Sequence, residues 1–314
     1  GYSLWEFEVY YPGTATLTSI ECTASDVICK VGETLSLTSV AKDQHGNVMN
    51  DQTFTYTVTP ADAGSVEGNT YKALKFGDAK IIATCGELTK EIAVINYAGD
   101  NVALNKEAVA HTGSGLNDIK LLTDGVTDGG DPTQWQGDPE PGDDRDVTCG
   151  FTLDLGMQYD LSLVAIYFEG ACSEAYTLET SADNTTWATA HSFIQEGIGI
   201  NKHVDYLYNE KLNNAGGVRY IRFTSTKNST QWGMKMFEFQ VFGTESASLT
   251  KAVSASVNDA AMGTATVTQD GVAVTEVETG SEVTFTATAN EGYIFVNWSN
   301  GNTNPSFTTT VDAA

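Results

Sequence analysis

Apolar residues recur at every second position over short runs, as at Phe54, Tyr56 and Val58 and again at Ile81, Ala83 and Cys85. That period turns one side of each run toward a core and the other toward water, the signature of a strand. Thr and Ser sit between Val, Ile, Phe and Tyr, as expected of exposed strand faces. Turn signals such as His45-Gly46-Asn47, Gly129-Gly130 and Gly216-Gly217 punctuate the runs. No long amphipathic helix emerges, and no run approaches the ~18 apolar residues that span a bilayer. The pattern predicts an all-β chain, a multidomain array of sandwich-like modules.

At 314 residues the chain is long enough for two or three domains. A short internal repeat helps to divide it. Gly1-Tyr-Ser-Leu-Trp-Glu-Phe-Glu-Val-Tyr10 aligns with Gly233-Met-Lys-Met-Phe-Glu-Phe-Gln-Val-Phe242, with Gly, Glu, Phe and Val identical at matched positions. Residues 1–12 are therefore expected to be the last strand of an upstream module of the same polypeptide, like the one ending near residue 243. Residues 13–98 read as a sandwich of about seven short strands. Within them, Val31-Gly-Glu-Thr-Leu-Ser-Leu through Asp43-Gln-His-Gly-Asn47, and later Gly77-Asp-Ala-Lys-Ile-Ile-Ala-Thr-Cys-Gly86, resemble bacterial Ig-like domains. That resemblance implies a spacer, with Cys85 as a small inward-facing core residue.

Charge narrows the functions. There are 41 acidic residues against 16 basic ones, a net charge of −25. The surplus is −6 over residues 1–98, −12 over 99–244 and −7 over 245–314. No segment offers the cationic footprint that phosphate backbones need, which argues against nucleic acid as a partner. The same field disfavours anionic membranes, and nothing predicts membrane insertion. Thirteen Tyr, thirteen Phe and five Trp, spread along the chain, separate this acidity from disorder. Five cysteines without any CxxC spacing argue against a zinc site and against a dense disulfide framework.

Residues 99–244 carry the densest motifs. Asn101-Val-Ala-Leu-Asn-Lys-Glu-Ala108 is followed by Leu122-Thr-Asp-Gly125, Thr133-Gln-Trp135 and Phe151-Thr-Leu-Asp-Leu-Gly156. Ser181-Ala-Asp-Asn-Thr-Thr-Trp187, Arg219-Tyr-Ile-Arg-Phe223 and Phe237-Glu-Phe-Gln-Val-Phe242 complete the series. In that order it resembles the discoidin, or coagulation-factor type C, domains, including family 32 carbohydrate-binding modules. The resemblance implies a jelly-roll sandwich with ligand loops at one end. It also implies a structural Ca²⁺ held by the carboxylates of Asp124 and Glu238, by Thr133, and by the carbonyls of Leu121, Val126 and Phe237. Hard oxygen donors from distant chain segments suit that ion. About four extra residues between Asp124 and Thr133 make Asp128 or Asp131 an alternative ligand. Eight acids crowd residues 124–146 against Arg145 alone, most simply a solvated loop.

A sugar site needs an aromatic stacking face and a few polar groups on loops. Trp232 is the expected stacking residue, with Arg145, His111, Glu169, Tyr176 and Asn228 as further loop candidates. Trp135 and Trp187 sit in motifs expected to be structural, as do Arg219 and Arg222. Residues 245–314 contain Gly280-Ser-Glu-Val-Thr-Phe through Gly292-Tyr-Ile-Phe-Val-Asn-Trp298 and resemble internalin B-type bacterial repeats. In these, Tyr293, Phe295 and Trp298 are expected to fill a small core. The whole predicts a non-catalytic, carbohydrate-binding piece of a secreted or cell-surface bacterial protein, in the accessory region of a glycoside hydrolase. An adhesin or stalk gripping a host protein or surface is the alternative.

Overall fold

The computed structural model describes residues 13–112, 117–137, 145–213, 217–246, 250–278 and 280–311, without the side chains of His111, Thr112, Asp131 and Thr250. The strand expected over residues 1–12 lies outside the described residues. Strands dominate throughout, and the only helical pieces among the described residues are three short 3-10 turns.

The first sandwich comprises β1 (Leu17–Ala24), β2 (Ile28–Lys30), β3 (Thr34–Asp43), β4 (Thr55–Thr59), β5 (Gly64–Glu67), β6 (Thr70–Ala73), β7 (Gly77–Cys85) and β8 (Leu88–Tyr97). They form two four-stranded sheets, ordered β1-β3-β6-β5 and β2-β8-β7-β4. Alternation decides the faces: on β7, Ala79, Ile81, Ala83 and Cys85 are buried, and the first three meet Tyr71, Ala73 and Leu37 of the facing sheet in one core. Asp43 ends β3 by accepting bonds from the His45 and Asn47 amides at 2.8 and 2.9 Å, the mechanism behind the Gly-Asn turn signal. All five cysteines are buried and none forms a disulfide.

The central module contains β9 (Asp100–Asn101), β10 (Ala108–Thr112), β11 (Trp135–Gln136), β12 (Cys149–Phe168), β13 (Ser173–Ser181), β14 (Ala188–Ile194), β15 (His203–Leu207), β16 (Val218–Asn228) and β17 (Lys235–Glu245). Its backbone order is β11-β17-β12-β16-β13-β14, with β10 and β15 also pairing β12 and β9 pairing β17. The long β12 organises it. Its first part pairs β16 from Cys149 to Asp154, and its second pairs β17 from Tyr159 to Phe168, with a register break between. One strand thereby serves both layers of a sandwich. Between them lie Trp135, Phe151, Phe168, Phe223 and Phe239, all essentially inaccessible. Their rings meet at centroid distances of 5.2 to 6.4 Å, mostly edge-to-face or tilted, the geometry aromatic quadrupoles favour.

The first sandwich and the central module pack as one unit. Ile28 and Tyr97 join Leu163, Ala165, Tyr167, Tyr206 and Phe242 in a shared apolar cluster, with the Tyr97 and Phe242 rings 4.4 Å apart. The hydroxyl of Ser162 donates to the Ala98 carbonyl at 2.6 Å and accepts from the Ala98 amide at 3.0 Å. Gly99, at φ +83°, turns the chain between them, and a Cβ there would sit 1.9 Å from the Gly243 carbonyl oxygen. Only glycine fits that corner.

Residues from Ser246 form a separate unit. It contains β18 (Thr250–Ala252), β19 (Gly263–Gln269), β20 (Val272–Ala273), β21 (Glu276–Glu278), β22 (Glu282–Ala289) and β23 (Ser306–Thr310). A four-stranded sheet runs β20-β19-β22-β23, beside a β18-β21 ribbon. Among the described residues, its buried apolar side chains are Val267, Val277 and Val283. Phe285, Phe295, Trp298 and Phe307 cluster on the sheet but stay partly open. Tyr293, expected in this core, is instead 47% exposed.

Candidate functional site

Two corners of the central module collect polar groups, and each is built around a buried glutamate.

The first lies where β17 meets the Asp124-Gly125 turn. Glu238 is fully buried on β17, opposite Tyr167. Gly125, at φ +87°, aims its amide at Glu238 Oε1, 3.1 Å away, which brings the Asp124 turn against that carboxylate. Oε2 of Glu238 is buried without a hydrogen-bond partner, and no ion pair reaches this residue among the described residues. Burial, with Asp124 adding like-charge repulsion, pushes the Glu238 carboxyl up to about 8.

The other expected cation ligands differ in what they have to offer. Phe237 is skipped by the β12 ladder, which pairs Tyr167 with Glu238 and then Phe168 with Met236. A bulge of this kind releases a carbonyl from sheet pairing. Leu121 lies in the 3-10 turn Ile119–Leu122. Asp124 Oδ1 accepts from the Val126 amide at 2.9 Å, so this carboxylate also closes its own turn. The Thr133 hydroxyl both donates to and accepts from the backbone of Gly130, which leaves chiefly its carbonyl for a ligand role. Asp128 pairs with Lys202, whose ammonium stands 4.9 Å from the Phe237 ring centre. Asp131's side chain is outside the described residues. No group of three or more His, Cys, Asp or Glu side chains converges among the described residues. An ion at this corner would rest on two carboxylates and on carbonyls, the donor set of a hard cation.

The second corner is the end of the sandwich where the chain turns between β12 and β13, between β14 and β15, and between β16 and β17. Trp232 sits here, 42% exposed, on the loop that joins β16 to β17. Its carbonyl accepts from Gln136 Nε2 at 3.2 Å, and its amide donates to the Thr230 hydroxyl at 3.2 Å. Arg145 braces the start of the same loop by donating to the Ser229 carbonyl at 2.8 Å, with its own side chain 39% exposed. Glu169 is half-buried and accepts from the Ala171 amide at 2.8 Å.

Beneath these residues lies Glu174, which the sequence pattern did not single out. It is 1% exposed, and its Oε1 accepts from the Gly197 amide at 2.9 Å and from Arg145 Nη1 at 3.4 Å. Its Oε2 takes no hydrogen bond but lies 3.8 Å from Lys227 Nζ. Glu174 shares its strand face with Tyr176, Leu178 and Thr180, all buried. An acid at an apolar parity position was the available signal.

Two expected loop residues are placed differently. Tyr176 is not on a loop but in the middle of β13, 2% exposed, packed against Phe223 and Phe193 and donating to Asp205 Oδ2 at 2.6 Å. An aromatic on the inward parity of a central strand belongs to the core. Asn228 is fully buried at the end of β16, its amide donating to the Arg145 carbonyl at 2.8 Å; it supports the loop from below. The side chain of His111 lies outside the described residues. Trp135 is core, Arg222 stacks 4.2 Å from the Trp187 ring, and Arg219 forms a two-pronged pair with Asp154 at 2.9 and 3.0 Å. These take the structural roles expected of them.

Residues 108–239 match the F5/8 type C domain. Residues 253–314 match the divergent InlB B-repeat domain. Comparison with curated proteins gave no match. Among solved structures, part of this chain is similar to chitosan-binding module 1 of a chitosanase/glucanase from Paenibacillus sp. IK-5. That likeness is 26% identical over 46% of this chain and 99% of that one, with a TM-score of 0.37. CpGH89CBM32-4 of Clostridium perfringens, in complex with GlcNAc-α-1,4-galactose, is 17% identical over 46% of this chain and 94% of that one, with a TM-score of 0.35. The lectin binding domain of Lectinolysin complexed with Lewis b is 14% identical over 47% of this chain and 99% of that one, with a TM-score of 0.36. No helix among the described residues is long and apolar enough to cross a membrane.

Proposed function

We propose that the F5/8 type C domain of this chain is a non-catalytic carbohydrate-binding module, with its ligand on the loop end around Trp232. The observation that carries this reading is Trp232 itself. A large ring left 42% exposed, on a loop fastened through Gln136, Thr230 and Arg145, is a stacking face whose position is set before a ligand arrives. Arg145 and Glu169 beside it supply a donor and an acceptor for sugar hydroxyls, and His111 is a further candidate. One site of this kind binds weakly, so affinity would come from repetition along a multimodular chain. The setting we infer is a secreted or cell-surface bacterial protein, with this region accessory to a glycoside hydrolase.

We also infer a structural Ca²⁺ at the Glu238 corner. Asp124 and Glu238 would hold it with the Phe237 carbonyl, and the Leu121, Val126 and Thr133 carbonyls would complete the set. The ion would supply positive charge to a carboxylate that the chain leaves without any. A second reading, adhesion to a host protein or surface, draws on Ile200, which is 70% exposed on the loop bridged to Ala171 at the same end. A glycan array with the wild type and Trp232→Ala, run with calcium and with a chelator, separates the two. The carbohydrate reading expects wild-type signal that the variant loses; no glycan signal in any condition favours adhesion.

A further inference from the structure

The C-terminal unit contains a groove of about 750 Å³ that the Trp232 loops do not share. That volume falls within the range of small-molecule sites, about 300–1,000 Å³. Its floor is one face of the β19-β22-β23 sheet. Gly263 pairs with Ala289, and Ala265 with Ala287, so the floor is low at that end because its side chains are small. At the other end stand Phe285 and Phe307, stacked 5.4 Å apart, with Trp298 edge-on to both. The Trp298 Nε1 donates to the Asn304 carbonyl at 2.9 Å, which fixes the indole. Tyr293 stands 47% exposed at the rim.

Two properties of the lining decide what fits. First, it contains no charged side chain, although residues 245–314 carry eight acids and one base. An ionic ligand would find no counter-charge here. Second, both banks bear amides and hydroxyls: Ser254, Ser256 and Asn258 on one, Asn297, Ser299 and Asn300 on the other. A peptide is poorly served by this arrangement. The floor is a sheet face, and its backbone groups are already spent on the β19-β22 and β22-β23 ladders. A peptide lying there would bury its own amides without ladder partners. A sugar chain has no amides in its main chain, and any it bears are pendant groups that can turn to the banks. Its hydroxyls can meet the banks while its C–H faces rest on rings and small apolar side chains.

We propose that this groove is a second carbohydrate site, independent of Trp232, that takes a segment of an uncharged polysaccharide against Tyr293 and the Ala265–Ala287 floor. The test uses the full chain, isotopically labelled, with its amide spectrum followed during titration. The probes are cellohexaose, mannohexaose, xylohexaose and N-acetylchitohexaose. At least one is expected to shift amides within residues 254–309. Trp232→Ala leaves those shifts intact. Tyr293→Ala, at an exposed position, weakens binding there about fivefold, and Ala287→Leu, which fills the floor, abolishes it. Shifts confined to residues 99–244 with all four probes overturn the proposal and leave the Trp232 reading standing. The absence of any shift within 254–309, or shifts that survive Ala287→Leu, also overturn it. So does an apolar peptide that moves these amides where no sugar does.

Discussion

Glu174 and Glu238 lie in the same module, and both are buried to 1% exposure or less, yet their surroundings are opposite. Glu174 is met by the chain's own cations, Arg145 at 3.4 Å and Lys227 at 3.8 Å, and by the Gly197 amide at 2.9 Å. Glu238 is met by backbone amides of the Asp124-Gly125 turn and by another acid, with no cation among the described residues, and its Oε2 takes no hydrogen bond. A buried carboxylate is costly unless a positive charge and hydrogen bonds balance it. The fold provides that balance beneath the Trp232 loop and withholds it at the Asp124 turn. The self-balanced corner has what it needs to hold a loop in place. The unbalanced one has a reason to recruit an ion.

The largest effect that can break this contrast is calcium addition. With free Ca²⁺ at about 1,000 times its Kd, the chain should gain about 4 kcal/mol of stability, read as a rise in the unfolding temperature over the chelated protein. Glu238→Gln removes the buried charge and should remove the response. In chelator at pH 8, that variant should unfold at a higher temperature than the wild type. An unfolding temperature indifferent to calcium would leave Glu238 as a neutral, structural acid.

Next in size is the pH dependence without metal. The Glu238 carboxyl, ordinarily near 4.5, is raised to about 8. Between those values the native state holds a proton that the unfolded chain has released, so stability falls as pH rises. His191 works the other way below 6.5, because burial lowers its pKa and the native state then binds fewer protons. Asp128, Asp154 and Asp183, whose pKa values are lowered by their partners, lose their contribution only below about 3.8. The clean window is therefore pH 6.5 to 8. Chelated protein should lose up to about 2 kcal/mol there, and saturating calcium should abolish the slope. Urea unfolding at the two pH values, with and without calcium, measures it.

On the balanced side, Arg145→Ala leaves Glu174 with Lys227 as its one nearby cation, beside the Gly197 amide. Removing one partner of a fully buried pair costs about 3–5 kcal/mol. Arg145 is 39% exposed, so solvent screening should reduce the loss to about 1–2 kcal/mol. The loss should not depend on calcium. Adding Glu174→Gln should recover part of it, because the charge left unpaired is then gone. A double-mutant cycle without such coupling would mean that the contact at 3.4 Å is incidental.

What could be foreseen from the sequence follows from which signals are local. Period-two alternation located β4 and β7, and the parity of Cys85 placed it inward, because a strand's two faces are written into neighbouring residues. The Asp43 turn was equally visible, since its carboxylate bonds to amides two and four residues away. Pairings across a large sequence distance were not visible. Glu174 meets Lys227 because β13 and β16 are neighbours in the sheet, and Arg145 because the chain ahead of β12 is tied to the end of β16 through the Asn228 amide. Lys202 reaches Asp128 across a separation of 74 residues. Tyr176 and Asn228 were misplaced for the same reason: their polar atoms suggested a surface, and the neighbouring strands that bury them are distant in sequence. Tyr293 failed in the opposite sense, since an aromatic motif does not reveal that a small sheet leaves its rings half-open.

The smallest expected change in stability is also the most discriminating for the Trp232 loop. The Trp232 ring is 42% exposed, and the bonds that fasten its loop use its backbone carbonyl and amide, not its indole. Trp232→Ala should therefore change stability by no more than about 0.5 kcal/mol, while Gln136 and Thr230 keep their contacts. Loss of glycan binding with an unchanged unfolding temperature assigns the ring to the ligand. A drop comparable to that of Arg145→Ala would instead make Trp232 a structural cap over the Glu174 network, and the stacking face would have to be sought elsewhere on the loop end. Calcium sharpens the distinction. Its removal should lower the unfolding temperature of wild type and variant equally, because the indole has no part in the Glu238 corner.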